Sequence, residues 1–167
     1  HCGERKLPQH YGFVGMQVPN YGNPFKTPEY AAYLQKHHLE PPERLASPYP
    51  WAGGALSGLP EATGTYFVAD YALGLLQEFS QERDHTGRPF MLFVSFWGPH
   101  HPCRIPEPYT SMYDPRDIAV WPNLDDPLEN KPAVQHRHRR SFYPEGPRLP
   151  EEAWQQIIAW YWGYCTF

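Results

Sequence analysis

The spacing of apolar residues predicts three helices. In TYFVADYALGLLQEFSQERD, residues 65–84, the apolar side chains recur at helical intervals and form one stripe. Thr27, Pro28 and Glu29 suit an N-cap, a first helical position and an acidic first turn, so a second helix is expected to run through EYAAYLQKHH and end before Pro41. A third helix is expected to open at Pro150 and continue through the aromatic-rich final segment.

A continuous apolar segment predicts an inner strand. Residues 89–97 contain FMLFVSF, in which Ser95 is the one polar residue, and they follow the 65–84 helix through the turn DHTGRP. A run of this length without alternation suits a strand that is covered on both faces. We therefore predict an α/β fold in which residues 89–97 lie inside a mostly parallel sheet and the helix from about Thr65 to Arg83 packs on it.

Two adjacent histidines, His100 and His101, follow this apolar run directly. If residues 89–97 form a strand, both histidines lie just beyond its carboxyl end, where open α/β sheets bind ligands. Pro99 and Pro102 flank the pair and stiffen the backbone, which suits holding an imidazole against a substrate oxygen. The competing interpretation is a hydrogen-bonded histidine with a structural role.

Composition, charge and cysteine spacing argue against several classes of protein. The formal net charge of −4 gives no reason to expect nucleic acid as a partner, and the three cysteines lack the spacing of a zinc finger or a disulfide framework. A metal site made of His100, His101 and Cys103 is not expected, because adjacent side chains rarely converge on one ion.

No apolar stretch reaches the roughly 20 residues that span a bilayer, so no membrane association is expected. No signal peptide is visible, which leaves the compartment open with a weak lean to the cytoplasm.

Four polar or proline-rich segments are interpreted as loops, connections, turns or helix caps. Residues 40–60 show no periodicity and are expected to form a loop. The basic sequence QHRHRR, residues 135–140, could bind phosphate or nucleic acid, but the acidic net charge favours a solvated connection. The carboxylates of DPRDI and LDDPLEN lack the spacing of a calcium loop and are interpreted as turns and helix caps.

Several motifs, in this order, resemble those of type I sulfatases of the alkaline phosphatase superfamily. Residues 99–102 match the P-H-x-P motif that ends a strand in that family, PEPYTSMYDPRDI resembles the loop that follows it, and the final tryptophan- and tyrosine-rich segment resembles a later helix. HCGE with YGFVGM resembles the end of the family's GKWHLG segment and the residues after it, with Cys2 in the place of the leucine. The similarity covers essentially all 167 residues. Residues 1–167 are therefore expected to be the central part of a sulfatase catalytic domain, incomplete at both ends.

The resemblance implies hydrolysis of sulfate monoesters, with a small anionic sulfate ester as the partner. These enzymes use a formylglycine made from a C-x-P-x-R or S-x-P-x-R motif and a calcium ion that polarises the sulfate oxygens. By position in the motifs, His100 is expected to bind sulfate or donate a proton, His1 to belong to the catalytic set and His101 to support substrate binding. The formylglycine motif and the calcium ligands are absent from this chain, so they are expected outside it and the chain alone is expected to be inactive. The oligomeric state is left open.

Two alternatives accompany this interpretation. One is a phosphonate or phosphate ester hydrolase of the same superfamily, which shares the scaffold and the oxyanion chemistry. The other is a non-catalytic remnant that binds an anionic ligand or a partner protein through an exposed aromatic face.

Overall fold

The computed structural model describes residues 8–16, 26–123, 126–142 and 149–167. These residues contain four α-helices and two β-strands: α1 (Pro28–Lys36), β1 (Gly53–Leu56), α2 (Gly64–Thr86), β2 (Cys103–Pro106), α3 (Ala133–Phe142) and α4 (Glu151–Thr166). Short 3-10 helices occupy Pro8–Tyr11, Pro60–Ala62 and Pro115–Asp117. None of the helices in this described part is both long and apolar enough to cross a bilayer. The chain divides into two compact units, one made of His1–Glu43 and Ser57–Gly98, the other of Arg44–Leu56 and Pro99–Phe167.

The first unit is organised around α1, which begins as the sequence predicts. The Thr27 side chain accepts a hydrogen bond from the Tyr30 amide at 3.3 Å, and Pro28 occupies the first helical position. The buried Tyr30 hydroxyl donates to the Ala62 carbonyl at 2.7 Å, and the Tyr33 hydroxyl donates to the Glu61 carbonyl at 2.6 Å. Both rings therefore bury their apolar surface beside α2 and keep their polar ends satisfied.

The predicted helix over residues 65–84 is confirmed as α2. It ends at Gly87, which adopts the left-handed conformation with φ 72° and donates its amide to the Arg83 carbonyl at 2.7 Å. Phe67 is buried against α1, whereas Leu73 and Leu76 of the same helix are exposed. The apolar stripe thus predicts the helix correctly, but Phe67 alone among its side chains is fully buried.

The predicted inner strand over residues 89–97 is wrong. These residues belong to neither a helix nor a strand, and the side chains of Met91 and Phe93 are 71% and 80% exposed. A strand forms only where a neighbouring strand accepts and donates its backbone hydrogen bonds. In the described part of the chain β1 and β2 pair with each other, and residues 89–97 pair with neither of them.

The predicted fold class is wrong for the same reason. The regular structure of the described residues is mainly helical, with one sheet of two short parallel strands, in which Gly53 pairs with Cys103 and Leu56 pairs with Pro106. This is not a mostly parallel sheet of the alkaline phosphatase type. Moreover, β1 lies in the segment 40–60 that was expected to be a loop, because Gly-Gly-Ala-Leu contains no β-branched or aromatic residue that would indicate a strand.

In the second unit, one face of this sheet packs closely on α4. The helix predicted to open at Pro150 is confirmed, since α4 starts directly after it. Ile105 of β2 is fully buried, and a side-chain carbon at Gly163 of α4 would lie 2.9 Å from its Cδ1 and collide with the Tyr109 carbonyl oxygen. Likewise, a side-chain carbon at Gly53 of β1 would lie 2.8 Å from the Trp160 ring. Because Gly53 and Gly163 have no side chains, the sheet and α4 can lie this close together.

Residues 135–140, interpreted from the sequence as a solvated connection to the final helix, lie in α3. Most side chains over residues 133–138 are exposed. Arg139 donates to the Asp126 carbonyl at 3.1 Å, which ties this helix to the turn before it. The basic segment is thus solvated as expected, but it is helical.

We expect Gly163→Ala to destabilise the protein by about 2–4 kcal/mol, because the added carbon overlaps the Tyr109 carbonyl and Ile105 and outweighs a helix-propensity gain of about 1 kcal/mol. Gly74→Ala is the matched control. It lies in α2 with nothing within 4 Å of the added carbon, so it should stabilise by about 0.5–1 kcal/mol. Urea unfolding of both variants measures the two changes, and equal effects would contradict this packing.

Candidate functional site

The two histidines lie at the entry to β2 rather than at the exit of a strand. Residues 98–102 form turns and bends, and Cys103 begins β2. The expectation that His100 follows the carboxyl end of a strand is therefore wrong, because residues 89–97 form none. The loop leads directly into β2, which pairs with β1 and packs against α4.

The hydrogen bond of the His100 ring shows which of its two nitrogens carries a hydrogen. Its Nδ1 lies 2.6 Å from the backbone oxygen of His101. A carbonyl oxygen can only accept a hydrogen bond, so Nδ1 must carry the hydrogen. In the neutral ring the lone pair is then on Nε2, the nitrogen farther from the backbone. His100 is an exposed residue.

His101 contacts His100 in two ways. Its carbonyl accepts the Nδ1 hydrogen, and its ring stacks on the His100 ring with centroids 4.8 Å apart and planes 19° from parallel. Both contacts restrict the rotation of the His100 ring. The structure thus brings His100 and His101 into direct contact.

Cys103 links the two ends of the loop formed by residues 99–103. Its thiol points at the Pro99 carbonyl with a sulfur–oxygen distance of 3.8 Å, and its amide donates to the Ala52 carbonyl at 2.7 Å. Burial, with a smaller effect from Cys165, raises the pKa of the Cys103 thiol to about 11. The group is therefore a neutral thiol at pH 7 and acts as a weak donor, not as a thiolate that could bind a metal.

The other expected site features are not assembled in the described residues. His1, predicted to belong to the catalytic set, lies outside them. No group of three or more histidine, cysteine or acidic residues that could hold a metal ion occurs within residues 8–16, 26–123, 126–142 and 149–167. Asp114 and Asp126 instead accept hydrogen bonds from the Arg116 and Leu128 amides at 2.9 and 2.7 Å, which confirms the turn-and-cap interpretation. These residues do not fit a calcium site, and no step is assigned to calcium.

The sequence interpretation missed one polar residue, Arg104 of β2. Its guanidinium donates to the Pro50 and Leu45 carbonyls at 3.1 and 3.4 Å, while its Nε is buried and has no hydrogen-bond partner in the described part of the chain. The sequence contains one indication of this role. Arg104 stands between the buried residues Cys103 and Ile105, and because successive side chains of a strand point to opposite faces, Arg104 lies on the other face from them.

The comparisons with known proteins identify no family. No protein family model matches the chain. A stretch of 62 residues is 36% identical to an uncharacterized protein from Haemophilus influenzae (strain ATCC 51907 / DSM 11121 / KW20 / Rd). The match covers 37% of this chain and 31% of that protein, well under two thirds of its length. The similarity therefore indicates a relationship over part of the chain and assigns no activity.

We expect Cys103 to react with iodoacetamide much more slowly than Cys165, since Cys103 is buried and Cys165 is exposed. Labelling of Cys103 in the folded protein should stay slow at pH 8 and rise only as the pH approaches the thiol pKa of about 11. Peptide mass spectrometry after timed labelling distinguishes the two sites, and unfolding in urea should remove the difference between them. Rapid labelling of both cysteines in the folded protein at pH 8 would mean that the loop is not closed by Cys103.

Proposed function

We propose that this chain is part of a sulfuric ester hydrolase and that His100 acts directly on the sulfate ester. Two things support the proposal: the order of the P-H-x-P motif and the segments after it, and the hydrogen bond between His100 Nδ1 and the His101 carbonyl at 2.6 Å. The hydrogen bond is the deciding observation, because it selects Nε2 as the atom that exchanges a proton with a ligand.

The chemistry of sulfate ester cleavage needs such a group. When the bond between sulfur and the ester oxygen breaks, negative charge develops on the leaving oxygen. The protonated imidazole of His100 can donate its Nε2 hydrogen to that oxygen. The ring that remains keeps its Nδ1 hydrogen bonded to the His101 carbonyl, so it does not have to reorient before it is protonated again.

His101 contributes mainly through its backbone in this scheme. Its carbonyl is present whatever side chain stands at position 101, whereas its stacked ring is lost on substitution. Replacing the His101 side chain should therefore loosen the His100 ring without removing the hydrogen bond that fixes its protonation. The expected effect is smaller than that of replacing His100.

The nucleophile and the calcium ligands are expected outside this chain. None of its three cysteines stands in a C-x-P-x-R motif: Cys2 is followed by Gly-Glu-Arg, Cys103 by Arg-Ile-Pro and Cys165 by Thr-Phe. A test of activity therefore needs the full-length protein that carries this chain, with the formylglycine formed.

In that protein, His100→Ala should lower kcat/KM on an aryl sulfate by a factor on the order of 10² to 10⁴, the range for loss of a positioned acid or charge-stabilising group. His101→Ala is the matched control and should cost much less. A series of leaving groups separates the roles of His100. Proton donation predicts a larger loss for alkyl sulfates than for nitrophenyl sulfate, while sulfate binding alone predicts similar losses.

Thermal unfolding of the same variants supplies the second control, because Pro99, Pro102 and Cys103 hold the loop without His100. If His100→Ala keeps near-full activity but melts at a markedly lower temperature, His100 is structural and the proposal is wrong. A wild-type protein that cleaves phenyl phosphonate or phosphate esters and leaves sulfates intact would favour the related hydrolase instead. A folded wild-type protein that cleaves none of these substrates would favour a non-catalytic remnant.

A further inference from the structure

Arg44 and Arg104 lie on the same face of β1. In the parallel pairing Arg104 is opposite Gly54, and in an antiparallel bridge on the other side of β1 Arg44 is opposite Leu56. Residues two apart in a strand point to the same face, and residues paired across strands share that face. Arg44 and Arg104 therefore lie on opposite sides of β1 but on the same face of the sheet. Along the strand they are offset by two residues, the distance from Gly54 to Leu56.

Gly54 lets Ser47 and Arg104 lie close to the backbone of β1. It has φ 142°, which an L side chain rarely adopts, and a side-chain carbon there would lie 2.8 Å from the Ser47 Cβ and 3.5 Å from Arg104 Nη1. The opposite face of the sheet is occupied, because Gly53 and Ile105 pack against α4. Arg44, Arg104 and Ser47 therefore lie on the face of the sheet away from α4.

The positive charge of this pair is not neutralised in the described part of the chain. The Arg104 guanidinium donates to two neutral carbonyls, those of Pro50 and Leu45, and its Nε has no partner. Neither arginine is among the four ion pairs of the described residues. The pKa of Arg104 is lowered by burial and, second, by the charge of Arg44. Two like charges held near each other without a carboxylate cost stability unless an anion binds them.

We propose that Arg44 and Arg104 form a binding site for a doubly charged tetrahedral oxyanion, such as sulfate or phosphate. Guanidinium groups present planar forks of N–H donors that match the oxygens of such an anion, and two of them balance its charge. Ser47 lies beside Gly54 and adds a hydroxyl group at the same place. This site does not depend on the proposed hydrolase function. Arg104 follows His100 by four residues, so its Cα lies within roughly 14 Å of the His100 Cα.

The test titrates the chain with sodium sulfate by isothermal calorimetry, with the ionic strength held constant by sodium chloride. Arg44→Gln should weaken sulfate binding by about 10- to 100-fold, which corresponds to loss of a charge-assisted hydrogen-bonding group. Arg104→Gln should weaken it similarly. Arg88→Gln, which removes one charge from an exposed segment after α2, is the matched control and should bind sulfate like the wild type. Acetate, with one charge, should bind the wild type more weakly than sulfate.

A second readout guards against misfolding, because Arg104 also holds the carbonyls of the 44–50 segment. Arg44 is exposed, so Arg44→Gln should fold normally and, without sulfate, should melt no lower than the wild type. Adding sulfate should raise the melting temperature of the wild type and of Arg88→Gln, but not that of Arg44→Gln. Sulfate binding that is unchanged in Arg44→Gln, or that is weakened equally in Arg88→Gln, would show that no such site exists.

Discussion

The close packing of the two-stranded sheet on α4 is the constraint on which the second unit depends. Gly53 of β1 and Gly163 of α4 allow a separation that any larger residue would prevent. This contact buries Ile105 completely, which contributes about 1.5–3 kcal/mol for one aliphatic side chain. Since β2 is held in this position, the alternation of its residues determines which side chains lie on each face. Cys103 and Ile105 are buried, and Arg104 lies on the other face.

The same strand also positions the histidine loop. The Cys103 amide is bonded to the Ala52 carbonyl and its thiol to the Pro99 carbonyl, so both ends of residues 99–103 are tied to the sheet. Within that short loop, the carbonyl of one histidine fixes the protonated nitrogen of the other. Burial keeps the Cys103 thiol protonated, so the thiol acts as a structural hydrogen-bonding group.

The parts that the sequence predicted well are those decided by local interactions. The N-cap Thr27 and the apolar period of residues 65–84 act within a few residues, and the corresponding helices form as expected. The strand over residues 89–97 failed because a continuous apolar run indicates burial but does not supply the neighbouring strand. Conversely, β1 lacks the residues typical of strands and becomes one because β2 pairs with it from about fifty residues away. For the candidate site, a local motif indicated His100 and His101, whereas the placement of Arg44 and Arg104 on one face arises from pairings between distant segments that no local pattern indicates.

Amide hydrogen exchange followed by NMR tests most directly whether β2, and not residues 89–97, is the strand beside the histidine loop. The Cys103 amide is bonded to the Ala52 carbonyl at 2.7 Å, so it should exchange slowly, at a rate set by opening of the second unit. Amides of residues 91–96, which take part in neither strand, should exchange far faster, close to the rates of an unstructured chain. Protection of residues 91–96 equal to that of Cys103 would contradict this account and would support a strand over residues 89–97.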